Sequence, residues 1–198
     1  NKNNKIEAFI LASGSPRRRE LLQQLGFSFR VIPSSLEETI QSGMEPRRHA
    51  TYYALEKAKE VAQHHPRHWV LAADTIVVVD EAILGKPVNA TEASVMLSLL
   101  SGRSHQVITG VSLVHADHGV DESQAVETEV FMRRLSAADI EGYIATGEPM
   151  DKAGAYGIQG IGGCLIQRIE GSYSNVVGLP LCETVELLRR HRVADPFK

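Results

Sequence analysis

The sequence predicts an α/β protein. Short apolar runs of strand length alternate with helix-like patterns through most of the chain. Capping residues, prolines and glycines stand where one pattern gives way to the other. No internal repeat or low-complexity linker interrupts the alternation. At 198 residues the chain can form one full domain or two small lobes sharing a cleft.

The elements follow in order. Ile6–Ala12 reads as a strand, and Pro16–Leu25 as a helix capped by Ser15, with Pro16 in first position and Gly26 as its stop. Phe27–Pro33 reads as a second strand, followed by a polar loop to about Glu45. Pro46–His64 has the pattern of a long helix that ends before Pro66, and Trp69–Val79 that of a strongly apolar strand. Thr91–Leu100 is predicted helical with Thr91 as cap, Val107–Val114 and Ala125–Arg134 as paired strands, and Ser136–Ala145 as a capped helix. A glycine-rich stretch, Gly147–Gly163, precedes a strand at Cys164–Ile169 and a helix at Pro180–Arg190. A loose division is expected near Ser101–Gly102, with both ends of the chain contributing to one sheet.

Composition narrows the function classes. Hydrophobic residues make up 43% and charged residues 23%, as in ordinary core-forming proteins. A net charge of -3 argues against a nucleic-acid binder or a membrane-surface protein, which carry a basic excess. Any phosphate would be met by a few placed cations. Cys164 and Cys182 form no CxxC pair and stand in apolar surroundings, so two buried thiols in a reducing compartment are expected. The apolar run Phe9–Ala12 is too short for a signal-peptide core, and no stretch of about 18 residues lacks a charge. A cytoplasmic protein with no membrane span is expected.

Several residues contradict the local structural logic, as functional residues often do. Ser13-Gly14-Ser15-Pro16-Arg17-Arg18-Arg19 places three arginines in the first turn of a helix, where the dipole disfavours cations. A bound polyanion reverses that cost, and small-residue turns with arginine forks suit phosphate oxygens. The alternative is a capped helix with solvated arginines. Asp74 interrupts the run Val70–Val79, and an unpaired carboxylate there is costly to bury. It either faces a cation, a metal or a polar cleft, or marks a strand break where it caps backbone amides. Lys57 lies within the apolar stripe Ala50, Tyr53, Ala54, Ala58, Val61 and Ala62, and either snorkels to the rim or projects into a cleft. Lys86, in Gly85-Lys86-Pro87, sits on an extended segment pinned by its proline. Asp151–Gly163 carries five glycines in ten residues and is neither a P-loop nor a dinucleotide fingerprint. His64, His65 and His68 read as a solvated helix end, and His105 as a structural residue.

Taken together, these motifs resemble the Maf-like (septum-formation) family of nucleotide pyrophosphatases. The matching segments are Leu11–Arg18, Glu56–Ala58, Ala73–Val77, Gly85–Pro87, Ser101–Thr109, Glu148–Gly160 and Val176–Leu181, in family order over nearly the whole chain. The resemblance implies an elongated, twisted mixed sheet flanked by helices, with two lobes around a central cleft, similar to the inosine-triphosphate pyrophosphatases and often homodimeric. The Asp151–Gly160 segment looks like the branch acting on dTTP and UTP rather than on 7-methyl-GTP. By this likeness Arg17, Thr75 and Gln159 set base preference. Ser13, Arg17, Arg18, Lys57 and Lys86 hold the triphosphate, and Asp74 and Glu38 hold a divalent cation, Mg²⁺ or Mn²⁺. Asp74 positions and deprotonates the attacking water or ligates the metal that does so, and Glu38 is singled out by the resemblance alone. A nucleotide-binding regulator of cell division is the other function that the same residues would serve.

Overall fold

The computed structural model describes residues 7–198. Its strands are β1 (Phe9–Leu11), β2 (Phe29–Val31), β3 (Val70–Val79), β4 (Ala82–Leu84), β5 (Ser104–His115), β6 (Val120–Met132) and β7 (Ile166–Glu170). Its helices are α1 (Pro16–Gln24), α2 (Pro46–His64), α3 (Ala90–Leu100), α4 (Ala137–Ala145), α5 (Tyr173–Val177) and α6 (Leu181–Arg190). Three turns of 3-10 helix, Glu148–Asp151, Ala153–Ala155 and Gly160–Leu165, occupy the glycine-rich stretch. The strands form one mixed sheet in the order β2-β1-β3-β5-β6-β7, with β4 on β3. β1 runs parallel to β2 and β3, whereas β3–β4 and β6–β7 are antiparallel. The α/β class expected from the sequence is the one observed. Of the first predicted strand, Ile6 lies outside the described residues.

The chain divides into two compact units. The first comprises the described residues up to Asp74 with Thr109–Val126 and Gly178–Lys198; the second comprises Thr75–Ile108 and Glu127–Val177.

In the first unit the apolar face of α2 packs Ala58, Val61 and Ala62 with Ile10, Ala12, Val70, Ala72 and Val114. Successive turns of a helix return to one face every three or four residues, which is why this spacing buries a stripe. The seat of α2 is a glycine. A Cβ built on Gly110 of β5 would lie 2.2 Å from the Ala50 carbonyl oxygen and 2.4 Å from its carbon, so helix backbone rests directly on strand backbone. Elsewhere in this unit, Trp69 is ringed by imidazoles: His115 at 4.9 Å, His191 at 5.1 Å and His118 at 5.9 Å between centroids.

In the second unit α3, α4 and the strands enclose a core that includes Val77, Leu97, Leu100, Met132, Tyr143 and Tyr156. The cap of α3 is Asn89 rather than Thr91: its side-chain oxygen accepts from the Glu92 N–H at 2.8 Å, and Glu92 returns a carboxylate to the Val88 N–H at 2.7 Å. A residue three positions before an acidic side chain makes the reciprocal cap, and Thr91 has no such spacing. Ser136 caps α4 in a full capping box, its hydroxyl accepting from the Asp139 N–H and the Asp139 carboxylate accepting from the Ser136 N–H. Both cysteines are free and exposed, a correction to the buried thiols expected. Leu165 takes the inward position next to Cys164, and on α6 the buried face runs through Thr184, Leu187 and Leu188, which turns Cys182 outward.

His105 is buried and its Nε2 lies 2.5 Å from the Tyr156 hydroxyl. Burial, aided by the nearby Arg103 charge, lowers its pKa from 6.5 to about 4. The unfolded chain therefore takes up a proton near pH 6.5 that the folded chain refuses until about pH 4. Stability from this residue is complete above the upper value and is lost as the pH falls through that window. The gap corresponds to about 3 kcal/mol. Urea unfolding across the same pH range should show that loss in the wild type and its absence in His105→Gln; equal acid sensitivity in both would refute it.

Among the described residues no helix is long and apolar enough to cross a membrane.

Candidate functional site

The turn after β1 is built by its own side chains. Ser15 caps α1, accepting from the Arg18 N–H at 3.4 Å, and Pro16 opens the helix as the sequence predicts. The buried Ser13 hydroxyl accepts from the Ser15 N–H at 3.3 Å and from Arg18 Nη1 at 3.0 Å. Arg18 Nε donates to the Gly178 carbonyl at 2.7 Å. Its guanidinium is thus fixed beside the turn rather than left to solvent. Burial lowers the Arg18 pKa, while Asp74 and Glu38 raise it and Arg17 lowers it further.

The two open readings of Asp74 and Lys57 resolve together. β3 is continuous through Asp74, so no strand break occurs there, and the residue is 1% exposed. Lys57 does not snorkel: it is buried on the inner face of α2. Its ammonium donates to Asp74 Oδ1 at 2.9 Å and also pairs with Glu38. Burial raises the Asp74 pKa, opposed by the Lys57 charge, reinforced by Glu38 and opposed again by Arg18. A buried carboxylate that still has a cation beside it is the usual device for keeping a base poised.

Glu38 is exposed on the loop after β2, and two anchors hold that loop. The Glu60 carboxylate accepts from the Ser34 and Ser35 hydroxyls and from the Ser35 N–H at 3.1 Å. The Tyr53 hydroxyl donates to the Thr39 carbonyl at 2.8 Å and accepts from its N–H at 3.0 Å. The first unit thereby brings Ser13, Arg18, Glu38, Lys57 and Asp74 into one cluster, with Arg17 next along α1. Sequence reasoning missed His49, buried one turn before Tyr53 on the same face, although its spacing within the α2 stripe was the available signal.

Thr75, Lys86 and Gln159 belong to the second unit. Lys86 is exposed beside the buried Pro87. The Gly85 carbonyl accepts from the Gly154 N–H at 3.1 Å, which ties this segment to the glycine-rich stretch. Gln159, half-buried, opens the third 3-10 turn. Its surroundings are fixed by Glu148, another residue the sequence did not single out. That carboxylate accepts from the Tyr143 hydroxyl at 2.8 Å, the Gly162 N–H at 2.9 Å and the Ile161 N–H at 3.0 Å. Glycine is required at Gly162, where a Cβ would stand 2.1 Å from the Gly157 carbonyl oxygen. Ala155 holds φ +62° while fully buried, a conformation costly for a residue with a Cβ and kept by its packing.

The cluster fits a divalent cation in one respect. Asp74 Oδ2 is buried with no hydrogen-bond partner, and a hard cation seeks such an oxygen. Among the described residues no group of three or more His, Cys, Asp or Glu side chains could hold a metal ion. A cation taken by Asp74 and Glu38 would complete its shell with substrate oxygens and water.

Known proteins match this sequence over most of its length. A protein named dTTP/UTP pyrophosphatase from Salmonella typhimurium is 53% identical over 184 residues, 92% of this chain and 92% of its own. One of the same name from Myxococcus xanthus is 50% identical over 189 residues, 96% of this chain and 95% of its own. A third, from Halalkalibacterium halodurans, is 47% identical over 192 residues, 97% of this chain and all of its own. Among solved structures the Staphylococcus aureus Ham1 protein is a weak likeness, with a TM-score of 0.48 and 16% identity over 80% of this chain and 79% of that one. The model of the family described as Maf-like protein matches residues 8–191, a span that holds every residue of the cluster, and the chain belongs to that family.

Proposed function

We propose that the protein hydrolyses dTTP and UTP to the nucleoside monophosphate and pyrophosphate. The observation that carries this reading is Asp74: a buried mid-strand carboxylate with a raised pKa, set beside Lys57, Arg18 and a serine-rich turn. Relatives about half identical over nearly the whole chain bear the name of that activity.

The chemical problem is to attack an α-phosphorus surrounded by negative charge and to release a charged leaving group. Positioning and electrostatics supply most of the rate in such reactions. Arg17, Arg18, Lys57 and Lys86 clamp the triphosphate, and Ser13 adds its hydroxyl. Asp74 orients a water and takes its proton as the oxygen bonds to the α-phosphorus. The bond from that phosphorus to the bridging oxygen then breaks, and pyrophosphate leaves. Asp74 and Glu38 would hold a divalent cation, Mg²⁺ or Mn²⁺, which would neutralise charge on the phosphate oxygens. Arg17, Thr75 and Gln159 read the base.

Pyrophosphate release from dTTP, UTP, CTP, dATP, GTP and 7-methyl-GTP, with Mg²⁺ or Mn²⁺ and with chelator, tests the whole reading. Rapid cleavage of dTTP and UTP that chelator abolishes is the expected result. Preference for 7-methyl-GTP would overturn the branch. Tight binding of every nucleotide without turnover would leave a nucleotide-binding regulator in its place.

A further inference from the structure

His49 is 2% exposed, and neither of its ring nitrogens has a hydrogen-bond partner. Asp74 Oδ2 is likewise buried and unpartnered. These two orphans face each other, with Nδ1 and Oδ2 separated by 4.0 Å. Buried polar groups are nearly always satisfied, and two left open side by side call for an explanation. The surrounding parts are fixed. The backbone of α2 rests on Gly110 at the residue after His49, and the Tyr53 ring lies 4.7 Å from the imidazole, tilted by 49°. The other carboxylate oxygen, Oδ1, is already engaged by Lys57.

We propose that His49 is the positioning residue of Asp74, its Nδ1–H donating to Oδ2 once nucleotide draws the Lys57 ammonium toward phosphate. The proposal rests on Asp74 being the water-activating base. The present separation exceeds a hydrogen bond by about 1 Å, which a small rotation of the carboxylate closes. In the resting cluster Lys57 aims Asp74 through Oδ1. When that ammonium turns to substrate, the carboxylate would be free to rotate as it must accept a proton. A donor on one lone pair of Oδ2 leaves the other open to the cation and keeps Oδ1 aimed at the water. A histidine that orients a carboxylate is the converse of the carboxylate that orients a histidine in hydrolytic triads. A side chain one residue removed from the chemistry acts on turnover more than on binding.

The test compares the wild type with His49→Phe, His49→Asn and His49→Gln, using dTTP. The asparagine amide nitrogen falls near the place of Nδ1, whereas the longer glutamine reaches the place of Nε2. The expected result is a fall in kcat of about 10- to 100-fold for Phe with KM within about twofold. Asn should recover most of that loss and Gln little of it. Nitrogen-15 spectra of the histidine rings in the wild type with a non-hydrolysable dTTP analogue should show the Nδ1–H tautomer for His49, a readout that stands even where a variant folds poorly. Unchanged kcat in the Phe variant, equal rescue by Asn and Gln, or an Nε2–H tautomer would each overturn the proposal. A wild type that turns over no nucleotide would instead refute the hydrolase reading beneath it.

Discussion

Asp74→Asn is expected to lower pyrophosphate release from dTTP on the order of 10³-fold while leaving nucleotide binding measurable. Asparagine preserves the shape of the side chain but removes its capacity to take a proton, together with the charge that pairs with Lys57 and would hold the cation. Stability separates this from unfolding. Burial raises the Asp74 pKa above its ordinary 3.8, so the folded chain binds its proton more readily than the unfolded chain does. Stability is therefore highest below the ordinary value and declines as the pH rises through the folded one. The neutral amide escapes that decline, and Lys57 keeps Glu38 as a partner. The variant should accordingly melt no lower than the wild type at neutral pH. Calorimetric titration with dTTP, a melting curve and the release assay decide the matter together. Activity within tenfold of the wild type would remove Asp74 from the role of base.

Gly110→Ala should destabilise the protein by about 3 kcal/mol or more, the range for an unrelieved clash in a packed interior. The methyl would stand 2.2 Å from the Ala50 carbonyl oxygen, and both sides of that contact are backbone. Relief requires moving the first turns of α2, which carry His49 and Tyr53 and lead into Lys57. Activity should fall with stability. Gly142→Ala is the matched comparison, because this exposed position on α4 has nothing within 4 Å of a new Cβ. There the change should add roughly 0.5–1 kcal/mol by restricting the unfolded chain and favouring the helix. Urea unfolding of the two variants measures both, and a Gly110→Ala protein as stable as the wild type would refute the contact.

Where a single physical rule governed, the sequence was legible. The bounds of α2 were readable in full because Pro46 opens it, Pro66 forbids its extension and apolar residues keep helical spacing between. The α1 cap followed from Ser15-Pro16 in the same way. Strand ends were harder. β5 extends at both ends, and β6 at its start, into polar residues beyond the predicted ranges, since ladder hydrogen bonds extend a pair regardless of side-chain polarity, whereas β6 ends at Met132, short of the predicted Arg134. The short α5 was not foreseen, and five residues carry too few turns to show a period. In the candidate site, the charges that break an apolar pattern were found, Asp74 and Lys57 above all. Residues that break no pattern were not. Glu148 looks ordinary in sequence, and only its neighbours across the fold reveal what it faces, whereas His49 interrupts the α2 stripe as Lys57 does and was passed over. The exposed cysteines show the same limit, because apolar neighbours along the chain do not say which way a side chain points.

Trp69, the chain's one tryptophan, stands among three histidine rings in the first unit. Indole emission follows the polarity around it, and protonated imidazole quenches it. The fold has thus placed the chain's single indole in the first unit and left the second without one. Light emitted at Trp69 follows the unit that carries Asp74, whereas backbone circular dichroism follows the whole chain. Disagreement between the two signals in a melt would mean that the protein comes apart in stages, and agreement that it fails as one.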